Sequence, residues 1–127
     1  MNRLFVRLGL TSMVAAASLS PALMTPAFAH AFLQSANPAV GSTVAVPPAN
    51  VTCNFTEALE QHFSKLEVQD ASGKRVDSGD MHLAGGNGKQ MLIGLPKLGA
   101  GVYTVIWHAT SVDTHKTEGH FTFTVAP

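Results

Sequence analysis

The sequence predicts an all-β sandwich in one small domain, and three observations carry the prediction. Apolar residues recur with a period of two in short runs, which puts them on one face of extended chain. Glycine and proline punctuate those runs at Asn37-Pro38, Pro47-Pro48, Ser72-Gly73, Gly85-Gly86-Asn87-Gly88 and Gly99-Ala100-Gly101, the turn spacing of a sandwich. The length, 127 residues, suits a single domain.

The first 29 residues are expected to be a leader rather than fold. Arg3 and Arg7 give a basic start, and the uncharged stretch from Leu8 to Leu19 follows. That stretch is shorter than the roughly 20 apolar residues a membrane crossing needs. Pro21 and Pro26 break it, and Ala27-Phe28-Ala29 places small residues at the −3 and −1 positions of a secretory cleavage site. Cleavage after Ala29 predicts an exported, periplasmic protein spanning residues 30–127. Its first residue is His30, so a lipid anchor on a new N-terminal Cys is not expected.

Within residues 30–127 the strands are read in order. Val51, Cys53 and Phe55 share one face, with Thr52 and Asn54 on the other. Glu57 to Phe63 can form one short helical turn. Leu66 and Val68 alternate with Lys65, Glu67 and Gln69. Met91-Leu92-Ile93 is an apolar run whose Met91 is expected in the core. Tyr103, Val105 and Trp107 alternate with Thr104, Ile106 and His108, so this strand is apolar on both faces near its middle. Phe121, Phe123 and Val125 alternate with His120, Thr122 and Thr124. The polar stretch from Ser111 to Gly119 reads as loop or strand end.

Composition narrows function. Hydrophobic residues make up 46% and charged residues 13%, which excludes a disordered chain. Eight basic residues balance eight acidic ones, and so even a charge argues against nucleic acid, which demands a basic surface. A single Cys excludes an intramolecular disulfide and an all-thiolate metal site. Cys53 lies between Val51 and Phe55 and reads as a small core hydrophobe. No Ser-His-Asp spacing, phosphate-cradling glycine loop or paired-carboxylate pocket is present.

The candidate chemistry starts at the cleavage point. As a first residue, His30 owns both an α-amine and an imidazole, which can close a chelate ring on one metal ion. An α-amine ordinarily titrates near about 8 and an imidazole near about 6.5, so a metal ion displaces protons from both near neutral pH. The second group is Asp113-Thr114-His115. Residues i and i+2 of extended chain point the same way, so the carboxylate and ring can face one site. An amine, two imidazoles and a carboxylate form a set suited to Cu(II) in a tetragonal arrangement. The remaining histidines read as bland. His62 is expected on an exposed turn, and His108 and His120 on strand faces opposite the aromatics as hydrogen-bonded structural groups without a paired spacing.

These motifs resemble the CopC family of periplasmic copper-binding proteins along essentially all of residues 30–127. The resemblance rests on His30-Ala31-Phe32-Leu33, Ser35-Ala36-Asn37-Pro38-Ala39-Val40-Gly41-Ser42, Asn54-Phe55-Thr56-Glu57, Gly101-Val102-Tyr103-Thr104-Val105-Ile106-Trp107, and Ser111-Val112-Asp113-Thr114-His115 with Gly119. It implies a cupredoxin-like or immunoglobulin-like Greek-key β-sandwich or barrel. It also implies one Cu(II) per mature chain, held by His30, Asp113 and His115, with Glu57 as an outer hydrogen-bond partner of a ligand.

Two departures stand out. The Met-rich loop of some relatives corresponds here to Asp80–Met91, with only Met81, Met91 and His82 as donors, so a high-affinity Cu(I) site is not expected. Lys116 stands where the family usually has Pro, which leaves that backbone less constrained and adds a cation near the site. Donors that fill the copper plane point to a non-enzymatic carrier that buffers Cu(II) or hands it on, nothing in the sequence demands more than a monomer, and the resemblance implies a CopD-like inner-membrane copper transporter or another periplasmic copper protein as recipient. The rival readings are an N-terminal-His copper monooxygenase and a metal-free accessory sandwich.

Overall fold

The computed structural model describes residues 30–127, and the leader expected over residues 1–29 lies outside the described residues. Eight strands follow in order: β1 Leu33–Asn37, β2 Thr43–Val44, β3 Asn50–Phe55, β4 Lys65–Gln69, β5 His82–Ala84, β6 Gln90–Gly94, β7 Gly101–Thr110 and β8 Lys116–Val125. They form two four-stranded sheets, ordered β1-β3-β6-β5 and β2-β8-β7-β4. All pairings are antiparallel except β2 on β8. Of the two expected closures, this is the sandwich. No helix among the described residues is long and apolar enough to cross a membrane.

The alternation in the sequence is what makes the core. Val51, Cys53 and Phe55 of β3 and Met91 and Ile93 of β6 are buried on one sheet. Leu66 and Val68 of β4, Tyr103, Val105 and Trp107 of β7, and Phe121, Phe123 and Val125 of β8 are buried on the other. Phe55 meets Trp107 edge-on across the sheets, with ring centroids 5.2 Å apart. Such an edge-to-face pair suits the quadrupoles of the two rings. The Tyr103 hydroxyl donates to the Gly99 carbonyl at 2.8 Å, which lets a phenol end in the core margin without an unmade bond. Cys53 packs as a hydrophobe, and burial pushes its thiol up to about 12.

Two details differ from the sequence reading, and a third sharpens it. The helical turn expected from Glu57 shrinks to a 3-10 turn at Gln61–Phe63. Leu59 is instead extended, bridged to Ser111 and almost fully buried, because an apolar side chain there has a core to enter. The polar stretch before the last strand is loop only as far as His115, since β8 starts at Lys116. Lys116 pairs with Thr110, so the ladder holds this backbone where a proline was missed. Strands β1, β2 and β5 were not individually legible, because they are short edge elements without a buried face to impose alternation.

The long β7–β8 hairpin positions the site. Its ladder runs without a break from Gly101 opposite Val125 to Thr110 opposite Lys116. The connecting residues 111–115 therefore project from the end of the most extensive pairing in the molecule.

Candidate metal centre

Ser111 to His115 form a closed turn. The Ser111 amide donates to the His115 carbonyl at 2.9 Å, and the Thr114 amide to the Ser111 carbonyl at 2.8 Å. Thr114 closes the turn with a left-handed φ of 73°. The Val112 amide donates to the Ala58 carbonyl at 3.1 Å, which ties the turn to the chain leaving β3. Ser111 is buried, and its hydroxyl donates to Asp113 Oδ1. That oxygen also lies 3.3 Å from His115 Nδ1. The Ser111 hydrogen bond first, then His115, hold the Asp113 carboxyl below the usual carboxylate range. Both contacts use Oδ1, so Oδ2 is the oxygen left to face a cation.

The start of the described chain reaches the same place from across the sandwich. Ala31 is fully buried and anchors the segment. The Thr56 hydroxyl donates to the His30 carbonyl at 3.2 Å and accepts from the Phe32 amide at 3.0 Å. The Thr56 amide donates to the Phe32 carbonyl at 3.0 Å. On the other side the Thr117 hydroxyl donates to the Ala31 carbonyl. Residues 30–32 are thus clasped between the end of β3 in one sheet and the start of β8 in the other. The clasp delivers the His30 ring to His115, with centroids 4.7 Å apart and planes at 74°. Phe32, about half exposed, lies beside His30 with centroids 6.1 Å apart.

So His30, Asp113 and His115, some 85 residues apart at the extremes, share one end of the molecule. Glu57, the expected outer partner, is half-buried and follows Thr56 directly in the chain. Among the described residues no three His, Cys, Asp or Glu side chains are already grouped as a metal cage. The nitrogen of His30 is a peptide amide in the full chain and becomes a donor amine only when His30 is the first residue.

The sequence reading did not find the positioning groups. Thr56 follows the buried Phe55, and a hydroxyl at a strand end is a faint signal for it. Thr117 gives no local signal, because its partner Ala31 is 86 positions away.

Other candidates fall elsewhere. Met91 is fully buried in the core and Met81 packs against it. His82 is exposed, with Nδ1 3.0 Å from the Asp80 carbonyl. His62 is exposed on the 3-10 turn. His108 and His120 are exposed on the outer face of their sheet, and His108 faces Glu118.

A CopC domain model matches residues 33–126. The chain belongs to the CopC family. Protein YobA of Escherichia coli K12 is 37% identical over 113 residues, covering 87% of this chain and 91% of that protein. Copper resistance protein C of Escherichia coli is 38% identical over 107 residues, covering 78% of this chain and 83% of the other. The crystal structure of CopC from Methylosinus trichosporium OB3b superposes with a TM-score of 0.72 at 31% identity, over 77% of this chain and 95% of that one. Family membership makes this a copper-related protein and accounts for its two-sheet architecture. Asp113 and His115 lie inside the matched span of the CopC domain, and His30 lies three residues ahead of it.

Proposed function

We propose that the CopC-family chain, once cut before His30, captures one Cu(II) in the periplasm through the His30 amine and imidazole, His115 and Asp113. The observation that carries this reading is the approach of the His30 and His115 rings at 4.7 Å, with the Asp113 carboxylate against His115. Three nitrogens and one oxygen match the tetragonal preference of Cu(II), which outranks the other first-row divalent ions on nitrogen donors. Asp113 stays ionised and so brings a negative charge without competing for a proton. Ser111 fixes its orientation, as outer hydrogen bonds do around metal ligands, and Glu57 would take the same part for a His30 nitrogen, as the family resemblance implies.

The ion is cargo. Four donors from the chain would occupy its equatorial plane and leave no equatorial position for oxygen chemistry on copper, so the ion is carried rather than used in catalysis. The side chains of His115 and Asp113 are 32% and 45% exposed, so a partner's ligands can reach the ion and replace them one at a time. Ligand exchange of this sort would pass copper to an inner-membrane transporter or a second periplasmic copper protein.

The test is a competition titration with Cu(II) on protein beginning at His30, and on protein with one extra residue before it. The expected result is a one-to-one complex in the first and a large loss of affinity in the second. Equal affinities would remove the amine from the site. Mass spectrometry of the exported protein locates the N-terminus independently.

A further inference from the structure

The outer face of the β2-β8-β7-β4 sheet carries a second cluster of donors that the N-terminal site does not use. Antiparallel pairing sets His108 of β7 directly opposite Glu118 of β8, and Ile106 opposite His120. Side chains two apart on a strand share a face, so Glu118 and His120 point outward together and His120 is the diagonal neighbour of His108. His108 Nδ1 already lies 3.2 Å from Glu118 Oε2. His108, Glu118 and His120 line one groove with Thr104 and Ile106.

We propose that His108, Glu118 and His120 form a second, weaker site for a first-row divalent cation, Zn(II) or Cu(II). Directly opposed Cβ atoms in a sheet are about 5 Å apart and diagonal ones about 7–8 Å. Two imidazoles and a glutamate on such a triangle can turn to a common point about 2 Å from each donor atom. The turn is small for His108 and Glu118, which already meet, and His120 closes the set by rotating about its own side-chain bonds. Side chains with half (His108) and three-quarters (Glu118) of their surface exposed make that rotation without moving the core. Two nitrogens and one oxygen exclude a preference for Cu(I), which seeks sulfur, and favour the borderline divalent ions, with water as the fourth ligand.

The surrounding charge sets the strength. Lys65 stands opposite His108, and Lys116 precedes Glu118 by two on the same face. Both repel a cation, so this site is the weaker of the two. It lies three residues along β8 from His115, about 10 Å at the usual rise per residue, and so shares a hairpin with the N-terminal site.

The proposal stands apart from the N-terminal site and is tested without it. Protein carrying one extra residue before His30 together with His115→Gln is titrated with Zn(II), then with Cu(II), by equilibrium dialysis, while imidazole resonances are followed by NMR. The expected result is one bound equivalent, Zn(II)-induced shifts confined to His108 and His120, and an affinity loss of about tenfold or more when both are changed to Gln. The double change His62→Gln and His82→Gln is the control and leaves binding intact. Absence of binding overturns the proposal, and so does retention of full affinity by the His108→Gln, His120→Gln protein. Equal loss in the control pair also overturns it, by showing scattered surface histidines rather than a site. If the unextended protein beginning at His30 with His115 intact bound no more tightly than this background, the reading of the first site would fail while the second stood.

Discussion

Ser111 is a small buried residue with two tasks. Its amide closes the turn on the His115 carbonyl, and its hydroxyl donates to Asp113. The hydroxyl bond is the first cause of the lowered Asp113 carboxyl, so Ser111→Ala should return that carboxyl toward the ordinary value of about 3.9. A carbon-detected NMR titration reads this directly, and an unmoved carboxyl would assign the shift to His115 alone. The sign of the linkage follows. A carboxyl lowered in the folded state stabilises the fold above its unfolded value, and the stabilisation disappears as pH falls through the folded value. Acid should release copper because metal and proton compete for the nitrogen lone pairs, while the lowered Asp113 carboxyl keeps its charge into more acid solution than an ordinary carboxylate. His115→Gln removes an imidazole donor while keeping the turn, and should weaken Cu(II) binding in a competition titration with little change in melting temperature. An unchanged affinity would exclude His115 as a ligand.

At the scale of elements, the β7–β8 hairpin and the clasp around residues 30–32 decide whether the site forms. Gly119 lies opposite Trp107, and a Cβ placed on it would sit 2.5 Å from the indole ring. Gly119→Ala therefore forces Trp107 off its seat on Phe55, an overpacking cost of about 1–3 kcal/mol. Thermal melts followed by tryptophan fluorescence check both the lowered midpoint and the altered indole environment. Thr56→Val keeps the side-chain shape and removes the hydroxyl that holds His30 and Phe32. The expected loss is about 1 kcal/mol in stability. Copper affinity should fall as well, because His30 is released from its place beside His115. Retained affinity in Thr56→Val would show that the metal alone gathers the donors.

For the whole molecule, one apolar layer between two sheets carries the stability, and a body of this size has little to spare. Phe123 is fully buried and stacks on Tyr103 at 5.5 Å, so Phe123→Ala should cost about 3–5 kcal/mol. Chemical denaturation measures this. Copper should act in the opposite direction. Free ion at a hundred times its dissociation constant adds up to about 2.7 kcal/mol to the folded state. The unfolded chain keeps the His30 amine and ring as a chelate, so the measured gain should be smaller than that figure. Blocking the amine with one extra residue should abolish most of the copper-induced rise in melting temperature.

The sequence by itself determined the sandwich, the core and the donor candidates. Period-two alternation around Cys53, Trp107 and Phe123 is a local pattern, since each strand records which of its faces is buried. The single Cys, the His that follows Ala27-Phe28-Ala29 and the Asp113-Thr114-His115 triplet are equally local, and they named the chemistry. Only the tertiary structure decided what meets what. The contact of His30 with His115 depends on Thr56 and Thr117 gripping one short segment from two sheets, and no neighbouring residue encodes a partner 86 positions away. The pairing of His108 with Glu118 depends on hairpin register, which is set where ten residue pairs align and leaves no mark at either position alone.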